Sequence, residues 1–155
     1  MNYSQKDALG KLRKYCAYQD RAHSEVEQKL ADMGLYGDEA GEVIIALVRE
    51  SFLDEERFAR SFVRGKFRIK GWGRRKILQE LKLKKVSDYC IDQGFKELDE
   101  DEYMQRLQDY AENKWASLNK EKNSWVKRKK TSSYLLQKGY EPDLINEVLR
   151  ELAQV

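Results

Sequence analysis

The side chains that most often carry chemistry are scarce in this chain. It holds one histidine, His23, in the polar string Asp20-Arg21-Ala22-His23-Ser24, and two cysteines, Cys16 and Cys90, far apart in sequence. A zinc site needs clustered thiolates and imidazoles, and a disulfide framework needs more thiols than this. Carboxylates abound, but Asp54-Glu55-Glu56 stands where a helix N-terminus favours negative charge, which accounts for it without catalysis. Gly71-Trp72-Gly73 follows no strand pattern and leads to no lysine–hydroxyl pair, so it is not a nucleotide loop. The residues therefore predict no catalytic site, no metal site and no cofactor.

Binding chemistry is a different matter. The net charge of +3 hides a strong alternation along the chain. Between residues 64 and 85, ten bases (Arg64, Lys66, Arg68, Lys70, Arg74, Arg75, Lys76, Lys82, Lys84 and Lys85) face one acid, Glu80, a local net of +9. Residues 92–112 carry eight acids against two bases, and residues 120–130 six bases against one acid. Basic stretches of this density suit phosphate or an acidic partner. Phe67-Arg68-Ile69-Lys70-Gly71-Trp72-Gly73-Arg74-Arg75-Lys76 interleaves aromatic and basic residues around a turn into a helix. Free peptide N–H groups there, with Arg74, Arg75 and Lys76, would hold an anion. Trp72 reads either as a stacking platform or as a plug in the seam between two modules. A second run, Lys127-Arg128-Lys129-Lys130 after Trp125, reads equally as contact surface or as solubilising face.

The elements that position these residues read as helices throughout. Ala8, Leu9, Leu12, Tyr15 and Cys16 form one apolar stripe, and Val26, Leu30 and Met33 a second, opened by Ser24 and Glu27 as a capping box and closed by Gly34. Val43, Ile44, Leu47 and Val48 follow from a start near Asp38. Asp54 caps a helix with Phe58, Ala59 and Phe62 inward, and Gly71 and Gly73 break the chain before Ile77, Leu78 and Leu81. Ser87 caps a short helix, Tyr103, Leu107, Tyr110, Ala111 and Leu118 mark a long one, and Thr131, Tyr134 and Leu135 another that ends at Gly139. Pro142 opens the last. Val26/Ile77/Thr131, Leu30/Leu81/Leu135 and Gly34/Lys85/Gly139 align as equivalent positions of a threefold repeat. The expected fold is all-α: three tandem three-helix repeats, roughly 1–53, 54–98 and 99–155, in an elongated, curved array.

At 155 residues, with aromatics at 11%, the chain has the material for a packed core. No apolar run is long enough for a membrane span and the N-terminus has no apolar signal segment, so a cytoplasmic location is expected, with Cys16 and Cys90 as small core residues.

Three strings then become recognisable together. Leu47-Val-Arg-Glu-Ser-Phe-Leu-Asp-Glu-Glu-Arg-Phe-Ala59 resembles the link between the first and second repeats of the RecX family. Lys70-Gly71-Trp72-Gly73 with Ile77, Glu80 and Leu81 is similar to that family's second repeat, and Asp20–Ser24 with Leu30 and Gly34 to its first. The last third matches through its helical pattern and Lys138-Gly139-Tyr140. Ser51 stands where the family usually has glycine, and Lys84-Lys85 where Lys-Gly is common, so different local helix ends are expected there. The resemblance implies a monomeric regulator that lodges in the groove of the RecA–single-stranded-DNA filament and depresses its recombinase, ATPase and co-protease functions. Contact residues would come from the two basic runs and Trp72, with single-stranded and possible double-stranded DNA as further partners and no membrane. The residues alone leave open a free-standing helix-turn-helix DNA reader.

Overall fold

The computed structural model describes residues 4–154, and among these there are nine α-helices and no strand. They are α1 (Gln5–Tyr18), α2 (His23–Asp32), α3 (Gly37–Arg49), α4 (Glu55–Gly65), α5 (Arg74–Leu83), α6 (Asp88–Phe95), α7 (Glu100–Ser117), α8 (Ser124–Lys138) and α9 (Pro142–Ala153). A π-helical turn, Lys66–Lys70, prolongs α4 before Gly71 ends it in a left-handed conformation with φ 69°. The chain divides into two compact units: one runs up to Phe62 and includes Glu80–Phe95, and the other holds Val63–Gln79 and everything from Lys96 onward.

In the first unit α1, α2 and α3 enclose Ala8, Leu12, Cys16, Val26, Leu30, Leu35, Val43, Leu47 and Leu53. In the second, α7, α8 and α9 pack on one another around Tyr103, Leu107, Ala111, Leu135, Ile145 and Leu149, all inaccessible to solvent. Several helix starts follow the local chemistry read from the sequence. Asp54 accepts a hydrogen bond from the Arg57 N–H at 3.0 Å, Ser87 Oγ accepts one from the Cys90 N–H, and Pro142 occupies the first turn of α9.

The repeat is visible in the backbone. Val26, Ile77 and Thr131 are fully buried, as are Leu30, Leu81 and Leu135. Gly34, Lys85 and Gly139 all take positive φ, at 82°, 59° and 99°. In each case the next residue's N–H (Leu35, Val86, Tyr140) donates to the carbonyl of the buried leucine five positions back, the closure of a Schellman motif. Ser51, with φ 64°, closes α3 the same way through Phe52 and Leu47. The helix ends at Ser51 and Lys85 therefore do not differ from glycine-terminated ones: closure by neighbouring bonds imposes the conformation on residues that disfavour it.

Other expectations are corrected. The α2 capping box is not Ser24/Glu27: the cap lies two residues earlier, at Ala22, and the Glu25 carboxylate accepts from the Ala22 N–H at 2.8 Å. Ser24 is diverted, its hydroxyl donating to the Lys84 carbonyl at 2.5 Å. His23 is the first residue of α2, 3.6 Å from a Glu55 carboxylate oxygen. Phe67 is not part of an exposed aromatic–basic surface, because the π-helical turn points it inward against Tyr103, at 2% exposure. Cys16 is buried as expected, but Cys90 is only half-buried; both are free thiols.

Candidate binding surface

Two groups of cations in the second unit have opposite surroundings. The first surrounds the start of α5. An isolated helix leaves its first N–H groups unbonded, which is what would make an anion site. Here those of Gly73, Arg74 and Arg75 are taken. The Gly73 N–H donates to the Lys138 carbonyl at 2.8 Å, the Arg75 N–H to the Gly139 carbonyl at 2.9 Å, and the Arg74 N–H to the Tyr103 hydroxyl at 2.9 Å. The N-terminus of α5 is thus docked on the C-terminus of α8, backbone to backbone. A Cβ on Gly73 would lie 2.5 Å from Gly139 O and from Tyr140 N, so only glycine permits this approach. The expected anion site at these three amides does not exist, because the Lys138 and Gly139 carbonyls and the Tyr103 hydroxyl occupy it.

Arg74 is likewise turned inward. Its guanidinium lies 3.9 Å from the centre of the Tyr103 ring, pairs with Glu141 at 2.8 Å, and also pairs with Glu100. Tyr103 donates to Glu141, and burial followed by that bond pushes its phenol far above the ordinary tyrosine range. Tyr140, raised mainly by burial, donates to the Gly71 carbonyl at 3.0 Å. Arg64 pairs with Glu97 at 2.6 Å. Trp72 is half-buried between two ammonium groups, Lys66 at 4.9 Å and Lys76 at 4.7 Å from the ring centre. Arg68, Lys70 and Arg75 are exposed.

Lys82, Lys84 and Lys85 belong to the first unit, so one compact body does not hold the whole basic stretch. Lys82 and Lys85 are exposed, while Lys84 lies 3.5 Å from Glu25 and lines a groove of about 340 Å³ with Lys29, Glu25 and Asp32, a surface of mixed charge.

The second cationic group sits on α8. Asn123 caps this helix by accepting from the Trp125 and Val126 N–H groups at 3.0 and 3.2 Å. Lys127, Arg128, Lys129 and Lys130 follow within its first two turns. Lys127 lies 4.5 Å from the Trp115 ring centre and Lys129 4.8 Å from that of Trp125, a tryptophan 66% exposed. Among the described residues, only Lys130 of these four has a carboxylate partner, Glu121 at 3.6 Å. A groove of about 350 Å³ runs between α7 and α8, lined by Lys114, Lys129, Lys130, Ser133, Tyr134 and Gln137. Sequence reasoning missed Lys114, Ser133, Tyr134 and Gln137. The i, i+4 spacing from Lys129 to Ser133 and Gln137 on one helix face was the signal that would have found two of them.

Among the described residues there is no group of histidine, cysteine and carboxylate side chains able to hold a metal ion, and no helix long and apolar enough to cross a membrane.

Comparison with known proteins assigns this arrangement to a family. Residues 54–94 match the family model described as RecX, second three-helix domain, and residues 100–149 that of RecX, third three-helix domain. A protein named Regulatory protein RecX from Pelodictyon phaeoclathratiforme is 34% identical over 134 residues, 85% of this chain and 81% of its own length. The chain belongs to the RecX family. A second RecX, from Oceanobacillus iheyensis, is 28% identical over 153 residues, 96% of this chain; the chain spans 56% of that relative's length. The crystal structure of RecX from Lactobacillus salivarius shares the fold, with a TM-score of 0.86 at 22% identity over 98% of both chains. The fold is therefore the RecX arrangement of all-α helical repeats.

Proposed function

We propose that this RecX-family chain docks on RecA–single-stranded-DNA filaments and restrains their recombinase, ATPase and co-protease activities, without catalysis of its own. It acts as a cytoplasmic monomer built of modules 1–53, 54–98 and 99–155. Membership of a family whose proteins are named as regulators carries the reading. The surface chemistry supports it: exposed Arg68, Lys70 and Arg75, with Lys66 and Lys76 held around Trp72, form a positive face suited to a polyanionic filament. Arg64 and Arg74 contribute by holding that face in place through Glu97, Glu100 and Glu141. Lys82, Lys84 and Lys85 supply further cations from the first unit.

The deciding experiment is co-sedimentation with RecA–single-stranded-DNA filaments, run beside the same DNA without RecA. It is paired with RecA's DNA-dependent ATP hydrolysis. Filament-dependent pelleting with slowed hydrolysis is expected. Unchanged hydrolysis at saturating protein, with tight sequence-selective binding to naked duplex, would replace this reading by a DNA-reading one.

A further inference from the structure

The two basic runs differ in what the fold does with them. At the start of α5, cations sit against the carbonyl end of α8, where positive charge is favoured, and Arg74 has two carboxylate partners. The fold accounts for Arg74. The run on α8 has no such support: its helix N-terminus is closed by its own asparagine, its first turn contains no acid, and one of its four cations meets a carboxylate. Lys127 and Lys130, three apart on one helix, repel each other. A cluster that the fold leaves unbalanced, beside a groove with three lysines and no carboxylate in its lining, points outward to a ligand.

We propose that the α7–α8 groove binds a single polynucleotide strand, its phosphates on Lys114, Lys129 and Lys130 and a base stacked on Trp125. Ser133 and Gln137 supply neutral hydrogen-bonding groups along the floor. The volume, about 350 Å³, falls at the lower end for small-ligand sites, which suits one nucleotide unit. Trp125 decides between a nucleic acid and an acidic peptide. An indole 66% exposed with an ammonium 4.8 Å from its centre offers a stacking face beside a phosphate partner; every base has a face to place there, and a carboxylate side chain has none. The proposal rests on the filament reading only in supposing that the chain meets single-stranded DNA.

The test uses the full chain and a fluorescent oligo(dT), without RecA, by anisotropy over a range of salt. Lys129→Gln/Lys130→Gln should lower the slope of log affinity against log salt by about 1.4, so that a fourfold rise in salt weakens the wild type about sevenfold more than the variant. Trp125→Ala should weaken binding while leaving the slope unchanged. Ser133 is exposed, so Ser133→Asp adds a carboxylate to the groove without disturbing the core, and its loss of binding is not a folding defect. Wild-type affinity and slope in all three variants would overturn the proposal, as would polyglutamate bound as tightly as oligo(dT) and indifferent to Trp125→Ala. Inhibition of RecA by the wild type, with oligo(dT) binding unchanged in all three variants, removes the groove and leaves the filament reading standing; absent inhibition, with oligo(dT) binding weakened in the variants as expected, does the reverse.

Discussion

Replacing Gly73 by alanine is the sharpest perturbation of the α5–α8 junction. Because Gly73, unlike Gly71 and Gly139, does not need positive φ, alanine there adds a steric demand and little backbone strain. Its Cβ would stand 2.5 Å from two backbone atoms of the α8 terminus, which cannot rotate away as a side chain could. The helices must separate, stretching the bonds from Gly73 N–H to Lys138 and from Arg75 N–H to Gly139. Two hydrogen bonds at about 1 kcal/mol each, plus about 1–2 kcal/mol of overpacking, give a loss of about 3–4 kcal/mol. Gly65→Ala is the control: it lies at the end of α4 with helical φ and open space around its would-be Cβ, so it should stabilise by about 0.5–1 kcal/mol. Urea melts followed by circular dichroism measure both. If Gly73→Ala unfolds at the wild-type midpoint, the backbone contact does not hold the junction and the reasoning fails.

Further expectations follow from the same structure. Arg74→Met should cost about 1–3 kcal/mol in the same urea melts, since it leaves Glu141 beside Tyr103 without its cation; a wild-type midpoint would show that the pair adds nothing. Lys85→Gly should stabilise by about 0.5–1 kcal/mol, the relief of a left-handed lysine less the greater freedom of unfolded glycine, and a lower melting temperature would contradict it. Tyr103 and Tyr140 hold their protons above the ordinary value of 10.0, so the stability this gives is complete below pH 10 and falls as pH rises past it. Absorbance at 295 nm should therefore show these two phenols ionising only as the chain unfolds; ionisation in the folded chain near pH 10 would refute the burial argument.

The helices, most of their caps and the threefold register were legible because they depend on neighbours within one or two turns. Apolar spacing placed Leu30, Leu81 and Leu135 in the core, and Asp54 and Ser87 needed only the next three residues to act as caps. What the sequence concealed depended on distant partners. Ser24 looks like a cap until the Lys84 carbonyl arrives from sixty residues away. The first amides of α5 look free until Gly139 closes on them. Arg74 and Lys129 are both cations of basic runs, yet one faces two carboxylates and the other an exposed indole and a groove. Charge counting along the chain cannot separate them, because the neutralising acids lie in other helices.

The closed junction also makes two unusual reporters of local motion. Helix-initial amides ordinarily exchange their hydrogens with water almost freely, having no partner to lose. The Gly73 and Arg75 amides are bonded to another helix's end and should exchange only when α5 parts from α8. Their protection factors would give the free energy of that opening directly. A value below that of the core amides of α7 would identify the junction as a separately opening part of its unit.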